Sequence, residues 1–500
     1  MRLGKREELR ELDQRVPKEF GVSEDNLMES AGAEMVKRIL EIPGIGTETR
    51  VGIFCGPGNN GGDGLVVARK LLQIGFAQIQ VWKLPSQKYS PLFETNLRRL
   101  KEIGGDVHTL NLNRALSFEF KKYDLLIDAI LGTGVDRPLD IPLVNFIKKM
   151  NQQKISIISL DVPTGLDANR GIQWGAAVHA TWTLTCALSK PGFYIQEGPL
   201  CCGKIQVLDI GFPKKAVKKI ANSTFLIGKK SAKELLPRRS PVANKTKFGK
   251  LLIIAGSSNM KGAAGLAAHA AARMGAGYVV VASPFAKTLN QMPPDFMQVK
   301  WEDILKVDLS KYSAIAIGPG LGTGKETLDV IKRLLKEKIQ NVVVDADAIS
   351  VCAQYKLWPL PSSWVLTPHA GEMSRILGIK SELIESDRLA SAEKAARLTG
   401  ATILLKGFRT VIHSNKKSYI INSGNVALAK AGSGDVLTGF ISSLMAQGLN
   451  VDRAAALGAY LHGSVADMWI KKGGSPLTLM ASDIPDLLNS SLKTLQKASK

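Results

Sequence analysis

The strongest constraint on this chain is an alternation of short apolar runs with longer amphipathic ones, several of the apolar runs ending in glycine and an acid. Val51–Cys55, Ile79–Trp82, Asp124–Ile130 and Ile155–Leu160 read as buried strands, and Glu24–Leu40, Gly62–Gly75 and Pro91–Ile103 as helices. Ser23 is placed to cap the first of these helices, with Glu24 and Asp25 in its first turn. Strands joined through helices run parallel, because the helix carries the chain back along the sheet face. The pattern recurs after residue 250, in Leu251–Ala255, Tyr278–Ala282, Ala314–Ile317, Asn341–Asp345, Trp364–Leu366 and Thr402–Lys406, with an Ala- and Gly-rich helix over Gly262–Met274. A chain of 500 residues exceeds one ordinary core. The expectation is an α/β protein of two αβα domains, residues 1–212 and 244–500, joined by a basic linker over 213–243.

That linker rests on charge. The net charge is +22, yet residues 1–212 carry 26 basic and 24 acidic side chains while residues 213–250 carry 12 and one. Half the excess thus sits in one stretch. Its aromatic residues are only Phe225 and Phe248, which is not the interleaving that stacks on bases, so a nucleic-acid partner is not expected. Hydrophobic residues make up 45% and no apolar run nears the roughly 20 residues that span a bilayer, so no membrane partner is expected either. The segment Met1–Gln14 is too charged for a signal peptide. The cysteines are five, with no CxxC spacing, which suits a reducing compartment, and a cytoplasmic location is expected.

The most informative segment is VGIFCGPGNNGGDG, Val51 to Gly64. A strand, a glycine loop and a helix start form an anion cradle, since free amides and the helix dipole both favour negative charge. An ordinary dinucleotide fingerprint also needs an acid at the end of the second strand, and Trp82–Lys83 supplies none. A standard NAD-dependent dehydrogenase is therefore rejected. Asp128 lies in DAILGTG and Asp161 in DVPTGLD, both at strand C-termini, where sites of open α/β sheets form. One such aspartate would be an ordinary turn or cap residue. Three acid-bearing, glycine-rich strand ends in succession point to a site. With Asn60 and Thr164 they offer hard oxygen ligands for a redox-inert cation.

These motifs, with LMESAG (Leu27–Gly32) and SKPG (Ser189–Gly192), resemble the NAD(P)HX epimerase domain, a Rossmann-like three-layer αβα sandwich. The resemblance covers about residues 1–212. It implies that hydrated cofactor, NADHX or NADPHX, is held by Asn59, Asn60, Gly61, Gly62 and Asp63 and by Gly132, Thr133, Gly134, Val135, Asp136, Arg137 and Pro138. It implies Asp161 as the catalytic and substrate-contacting acid, and a potassium ion at Asn60, Asp128 and Thr164. The family more often has serine where Thr164 stands.

In the second half the sharpest motif is AGSGD, Ala431 to Asp435, before the apolar helix Val436–Gln447. Glycine-flanked amides at a helix start make an anion hole for a migrating phosphoryl group, and Asp435 is placed to take a proton from an attacking hydroxyl. NKTKFGKLLIIAGS, GPGLG, DADAIS, TPHAGE and KGFRT end or precede other strands. His369 is flanked by Pro368 and a glycine turn, whereas His462, inside a helix, reads as a packing residue. Together these motifs resemble the ADP- or ATP-dependent NAD(P)HX dehydratase, a relative of the ribokinase-like kinases, over about residues 244–490. The resemblance implies a ribokinase-like αβα domain. It implies substrate contacts at Ala263, Gly322 (with Gly320 beside it), His369 and the catalytic Asp435, and an adenine nucleotide held by Lys406, Gly407, Phe408, Arg409, Thr410 and Gly434. Where the family often has NPG, this chain has Asn425, Val426 and Ala427. ADP or ATP is the expected co-substrate, magnesium the expected counter-ion, and a homo-oligomer the expected assembly. A kinase of a small hydroxymethyl heterocycle would share the GSGD site but leave the N-terminal motifs unexplained.

Overall fold

The computed structural model describes residues 1–220, 223–285 and 295–497, and only the backbone of Ala115. The chain divides into two compact units, Arg2–Thr224 and Phe225–Lys500. Among the described residues, no helix is long and apolar enough to cross a membrane.

In the first unit the strands are β1 (Val51–Cys55), β2 (Ile79–Lys83), β3 (Asp106–Thr109), β4 (Leu125–Ala129), β5 (Ser156–Leu160), β6 (Trp182–Cys186) and β7 (Lys204–Leu208). They form a sheet in the order β3-β2-β1-β4-β5-β6-β7, parallel throughout. The order reverses between β1 and β4, and a crevice opens beyond the strand ends at such a reversal. Period-two alternation distributes the strand side chains over two layers. Ile53, Ile127 and Ile158 pack with Met35, Val67 and Leu71 of helices Glu24–Leu40 and Asn59–Gln73. Phe54, Leu126 and Ile157 pack on the other face with Phe146, Ile147 and Met150 of helix Ile141–Asn151. Ser23 caps helix Glu24–Leu40 through a 3.2 Å bond from the Asn26 amide.

Helix Asn59–Gln73 begins three residues before the expected Gly62. The segment Asn59–Asp63 is thus the opening turn of a helix rather than a loop. Gly61 is required there, since a Cβ would lie 1.8 Å from the Gly56 carbonyl oxygen.

The second unit contains β8 (Thr224–Ile227), β9 (Lys250–Ile254), β10 (Tyr278–Ala282), β11 (Met297–Val299), β12 (Ala314–Ile317), β13 (Val342–Val344), β14 (Val365–Leu366), β15 (Thr402–Leu405), β16 (Val411–Ser414) and β17 (Lys417–Ile421). Their order is β8-β17-β16-β15-β14-β13-β12-β9-β10-β11. Pairing is parallel from β15 through β14, β13, β12 and β9 to β10 and β11. The pairs β15–β16 and β16–β17 are antiparallel.

The described part of residues 213–243, expected as a linker, is largely folded. It carries helix Lys214–Ile220, strand β8 and helix Lys229–Leu235. Ala216, Leu226, Ile227 and Ala232 are the buried anchors that the lysine-rich composition conceals.

Helices Lys261–Met274 and Ser433–Ala446 pack closely in the C-terminal core. A Cβ on Gly439 would sit 2.3 Å from the Ala267 carbonyl oxygen and 2.7 Å from the Ala270 Cβ. Gly439→Ala should therefore force these helices apart and destabilise the unit by about 1–3 kcal/mol, the range for overpacked cores. A thermal melt that shows no fall in Tm would refute this.

Candidate active sites

The N-terminal unit holds a cavity of about 570 Å³ beyond the strand ends. Strand β5 ends at Leu160, and Asp161 follows in the left-handed region at φ 60°. Aspartate tolerates that conformation better than most residues do. The turn directs its carboxylate to Lys190, whose Nζ lies 2.5 Å away. Lys190 is buried at 1% exposure, so its charge needs this partner. Its Nζ also donates to the Thr185 hydroxyl, while Thr185 and the Cys186 amide donate to Asp161 at 3.2 and 3.3 Å. Asp63 and Asp13 line the same cavity. Burial, then the nearby Asp161 and Asp13, push the Asp63 carboxyl well above the usual carboxylate range.

Beside this cluster, Asp128 is fully buried. It accepts the Thr164 hydroxyl at 2.6 Å, the Thr164 amide at 2.9 Å and the Ser159 hydroxyl at 2.7 Å. Burial raises its pKa, and these hydrogen bonds work against the rise. Asn60 adjoins Gly132, and both its amide atoms are buried without a hydrogen bond among the described residues.

In the second unit, Gly432 at φ 84° opens helix Ser433–Ala446. Gly432, Gly434 and Asp435 remain partly exposed at this helix start. Burial, followed by the charges of Asp345 and Asp347, raises the Asp435 pKa to about 7, and Lys406 opposes the rise. Beneath it, buried Asp345 accepts from Lys406 Nζ at 2.8 Å, the Thr367 hydroxyl at 2.8 Å and the Thr438 hydroxyl at 2.7 Å. Burial alone would raise the Asp345 pKa; Lys406 and the two threonines more than offset it and hold it low. The Lys406 ammonium stands 3.6 Å from where a Cβ on Gly434 would be, beside the helix start.

A second cavity, of about 690 Å³, is lined by Asp347, His369, Glu372 and Arg375 among others. Asp347 accepts the Gly322 amide at 2.8 Å. His369 caps its helix, Nδ1 accepting the Gly371 amide at 2.9 Å while its own amide bonds Glu372 at 2.8 Å. An accepting Nδ1 leaves a neutral ring's proton on Nε2.

Two family models match the chain, one described as NAD(P)H-hydrate dehydratase over residues 251–488 and one as YjeF-related protein N-terminus over residues 24–192. The bifunctional NAD(P)H-hydrate repair enzyme Nnr of Moorella thermoacetica is 38% identical, over 98% of this chain and 96% of that protein. The chain belongs to the family of bifunctional NAD(P)H-hydrate repair enzymes. The enzyme of the same name from Thermofilum pendens is 33% identical over 95% of this chain and 93% of its own. A ribokinase-like superfamily protein of Enterococcus faecalis superposes with a TM-score of 0.50 at 25% identity, covering 55% of this chain and 97% of that one.

Within this repair-family chain, the structure brings Asn59, Asn60, Asp63, Gly132, Thr133, Gly134 and Asp161 to one cavity. Gly61, Gly62 and Val135–Pro138 do not line it. Gly61, Gly62 and Val135 are buried packing residues, while Asp136, Arg137 and Pro138 lie exposed. Ala263 meets Gly320, where a Cβ would approach its own to 3.1 Å. In the KGFRT segment, Lys406 is already ion-paired with Asp345, and the Arg409 guanidinium stacks 5.0 Å from the half-exposed Phe408 ring. Gly407 sits at φ 145° and Thr410 donates to its carbonyl at 3.3 Å. His462 is buried against Ser433 and Phe440, and burial pushes its pKa down to about 4, which keeps it neutral. Sequence reasoning missed Asp13 and the role of Lys190. It also missed Asp345 and Asp347, although the DADAIS motif marked their strand end.

Proposed function

We propose that this chain repairs hydrated NADH and NADPH, interconverting the R and S hydrates in the N-terminal unit and dehydrating the S form in the C-terminal unit. The reading is carried by Asp435, a carboxylate with pKa of about 7 in the first turn of a helix whose glycine-flanked start adjoins the Lys406 ammonium. That combination suits phosphoryl transfer to an alcohol. Asp435 takes the proton of the C6 hydroxyl while its oxygen attacks the terminal phosphorus of ADP or ATP. The amides around Gly434, with Lys406, hold the charge that develops on the migrating group. Phosphate leaves far more readily than hydroxide. The ring nitrogen's lone pair expels it, C5 gives up a proton, and the dihydropyridine returns; ADP ends as AMP and phosphate. Ala263, Gly322 and His369 are the substrate contacts of this reading, and Gly407–Thr410 the nucleotide contacts.

In the N-terminal unit, Asp161, held by its ion pair with Lys190, is the acid–base group at C6. The cavity residues Asn59, Asn60, Asp63 and Gly132–Gly134 hold the hydrate. Asn60, Asp128 and Thr164 suit potassium, because among the described residues the buried Asn60 amide oxygen has no hydrogen-bond partner and the buried Asp128 carboxylate forms no ion pair. A bound potassium ion would supply fixed positive charge at the strand end. For magnesium, the described residues offer no group of three His, Cys, Asp or Glu side chains, so no step here runs through it. We place the enzyme in the cytoplasm, where NADH and NADPH turn over and unpaired cysteines persist.

The test is incubation of purified protein with mixed R and S hydrates, following the return of 340 nm absorbance with ADP, ATP or neither. Full conversion with nucleotide is expected in potassium. When sodium replaces potassium, recovery should stall once the S form is spent. No recovery with either nucleotide would overturn the proposal.

A further inference from the structure

One wall of the N-terminal cavity lies outside the family match, which begins at residue 24. Helix Arg6–Phe20 contributes Leu9, Asp13 and Gln14 to the lining. Leu9 and Asp13 are four residues apart and share a face. Leu12 and Val16 fix the helix against Leu27 and Ala216. At its start the buried Arg6 guanidinium donates to the Val135 carbonyl at 2.5 Å and to Asp167 at 3.4 Å. The helix is therefore anchored, and Asp13 projects from it with its side chain accessible. Among the described residues Asp13 makes no hydrogen bond or ion pair. The charged groups sharing its cavity are Glu24, Asp63, Asp161 and Lys190. Surrounding protein, then Asp161, raise the Asp13 pKa to about 6; Lys190 opposes this and Glu24 adds to it.

Inversion at C6 requires oxygen to leave one face of the ring and water to return on the other. A single carboxylate fixed at a strand end reaches one face. We propose that Asp13 is a second catalytic residue of the epimerisation, acting on the ring face opposite Asp161. The inference rests on the epimerase reading of this cavity. On departure, the protonated carboxyl on one face gives its proton to the C6 oxygen, the C–O bond breaks, and water is released as the N1 lone pair forms the N1=C6 iminium. On return, water adds to C6 from the other face and passes a proton to the carboxylate there. One proton has moved from one aspartate to the other, and the reverse turnover or solvent resets the pair.

The experiment uses the full-length protein with each epimer separately in H₂¹⁸O, measuring inversion and oxygen exchange at C6. Asp13→Asn is expected to lower inversion by roughly 10²-fold or more, while one epimer still exchanges its oxygen without inverting. Asp161→Asn should show the complementary pattern, with exchange confined to the other epimer. Asp13→Glu keeps a carboxylate and should restore part of the inversion. Dehydration of the S form and the Tm report on folding. Inversion by Asp13→Asn within about threefold of wild type, far short of a general-acid contribution, overturns the role of Asp13 alone. Loss of exchange from both epimers, or a Glu variant no better than Asn, does the same. A wild-type protein that inverts neither epimer removes the epimerase reading and the role of Asp13 with it.

Discussion

Asp435→Asn should lose dehydration by roughly 10²–10⁴-fold, the span of a positioned general base, while nucleotide still binds. Asparagine has the same shape and leaves the backbone of the helix start in place, so the amides around Gly434 and the Asp345–Lys406 pair below persist. What disappears is the ability to accept the hydroxyl proton. The pH dependence follows from the same group. A base must be deprotonated, so wild-type turnover should climb with pH through about 7, where Asp435 ionises, and the residual rate of the variant should lack that step. Stability should move the opposite way. The folded-state pKa lies above the unfolded value, so Asp435 favours the fold at low pH and loses that contribution as pH rises through about 7. Asp435→Asn should accordingly melt higher than wild type at pH 8, with the gap closing toward pH 5. Normal turnover in the variant, measured at 340 nm with ADP or ATP, would sink the assignment.

The fold was legible where a short apolar run lies buried on both faces. Val51–Cys55, Tyr278–Ala282 and Ala314–Ile317 emerged with their expected bounds, because fully buried parallel strands need continuous apolar sequence. The hairpin of β16 and β17 was not anticipated. Its turn places Asn415 and Lys416 at φ 48° and 63°, and a lysine gives no sign of a left-handed position that glycine ordinarily fills. The early start of helix Asn59–Gln73 was hidden for a related reason. Glycine is a poor helix former, yet Gly61 is demanded by the carbonyl pressed against it. In the sites, motifs exposed the acids at strand ends but not what surrounds them. Lys406 and Asp345 are 61 positions apart and meet only through the order of the sheet. Asp13 stands in REELRELDQR, which reads as a solvated charged face, and only the docking of that helix turns it into a cavity wall. The lysines of 213–243 outweighed the few buried alanines and aliphatics that fold that stretch.

Asp161→Asn should abolish interconversion of the R and S hydrates, again by roughly 10²–10⁴-fold. Asparagine tolerates the left-handed backbone at this position nearly as well as aspartate, whereas alanine would add backbone strain. Asp161→Ala carries a further penalty. It strands the Lys190 ammonium, 1% exposed, without its carboxylate; breaking a buried pair from one side costs roughly 3–5 kcal/mol. Loss of activity in that variant alone would not separate chemistry from folding. The double change Asp161→Asn with Lys190→Met removes both charges and should recover much of the stability without any recovery of interconversion. Measured beside ADP-driven dehydration of the pure S hydrate, which our proposal assigns to Asp435 in the other unit and which should continue, the pair of variants divides the two roles. If the double variant interconverts the hydrates at the wild-type rate, the Asp161–Lys190 pair serves only the fold, and the chemistry at C6 must come from elsewhere in the cavity.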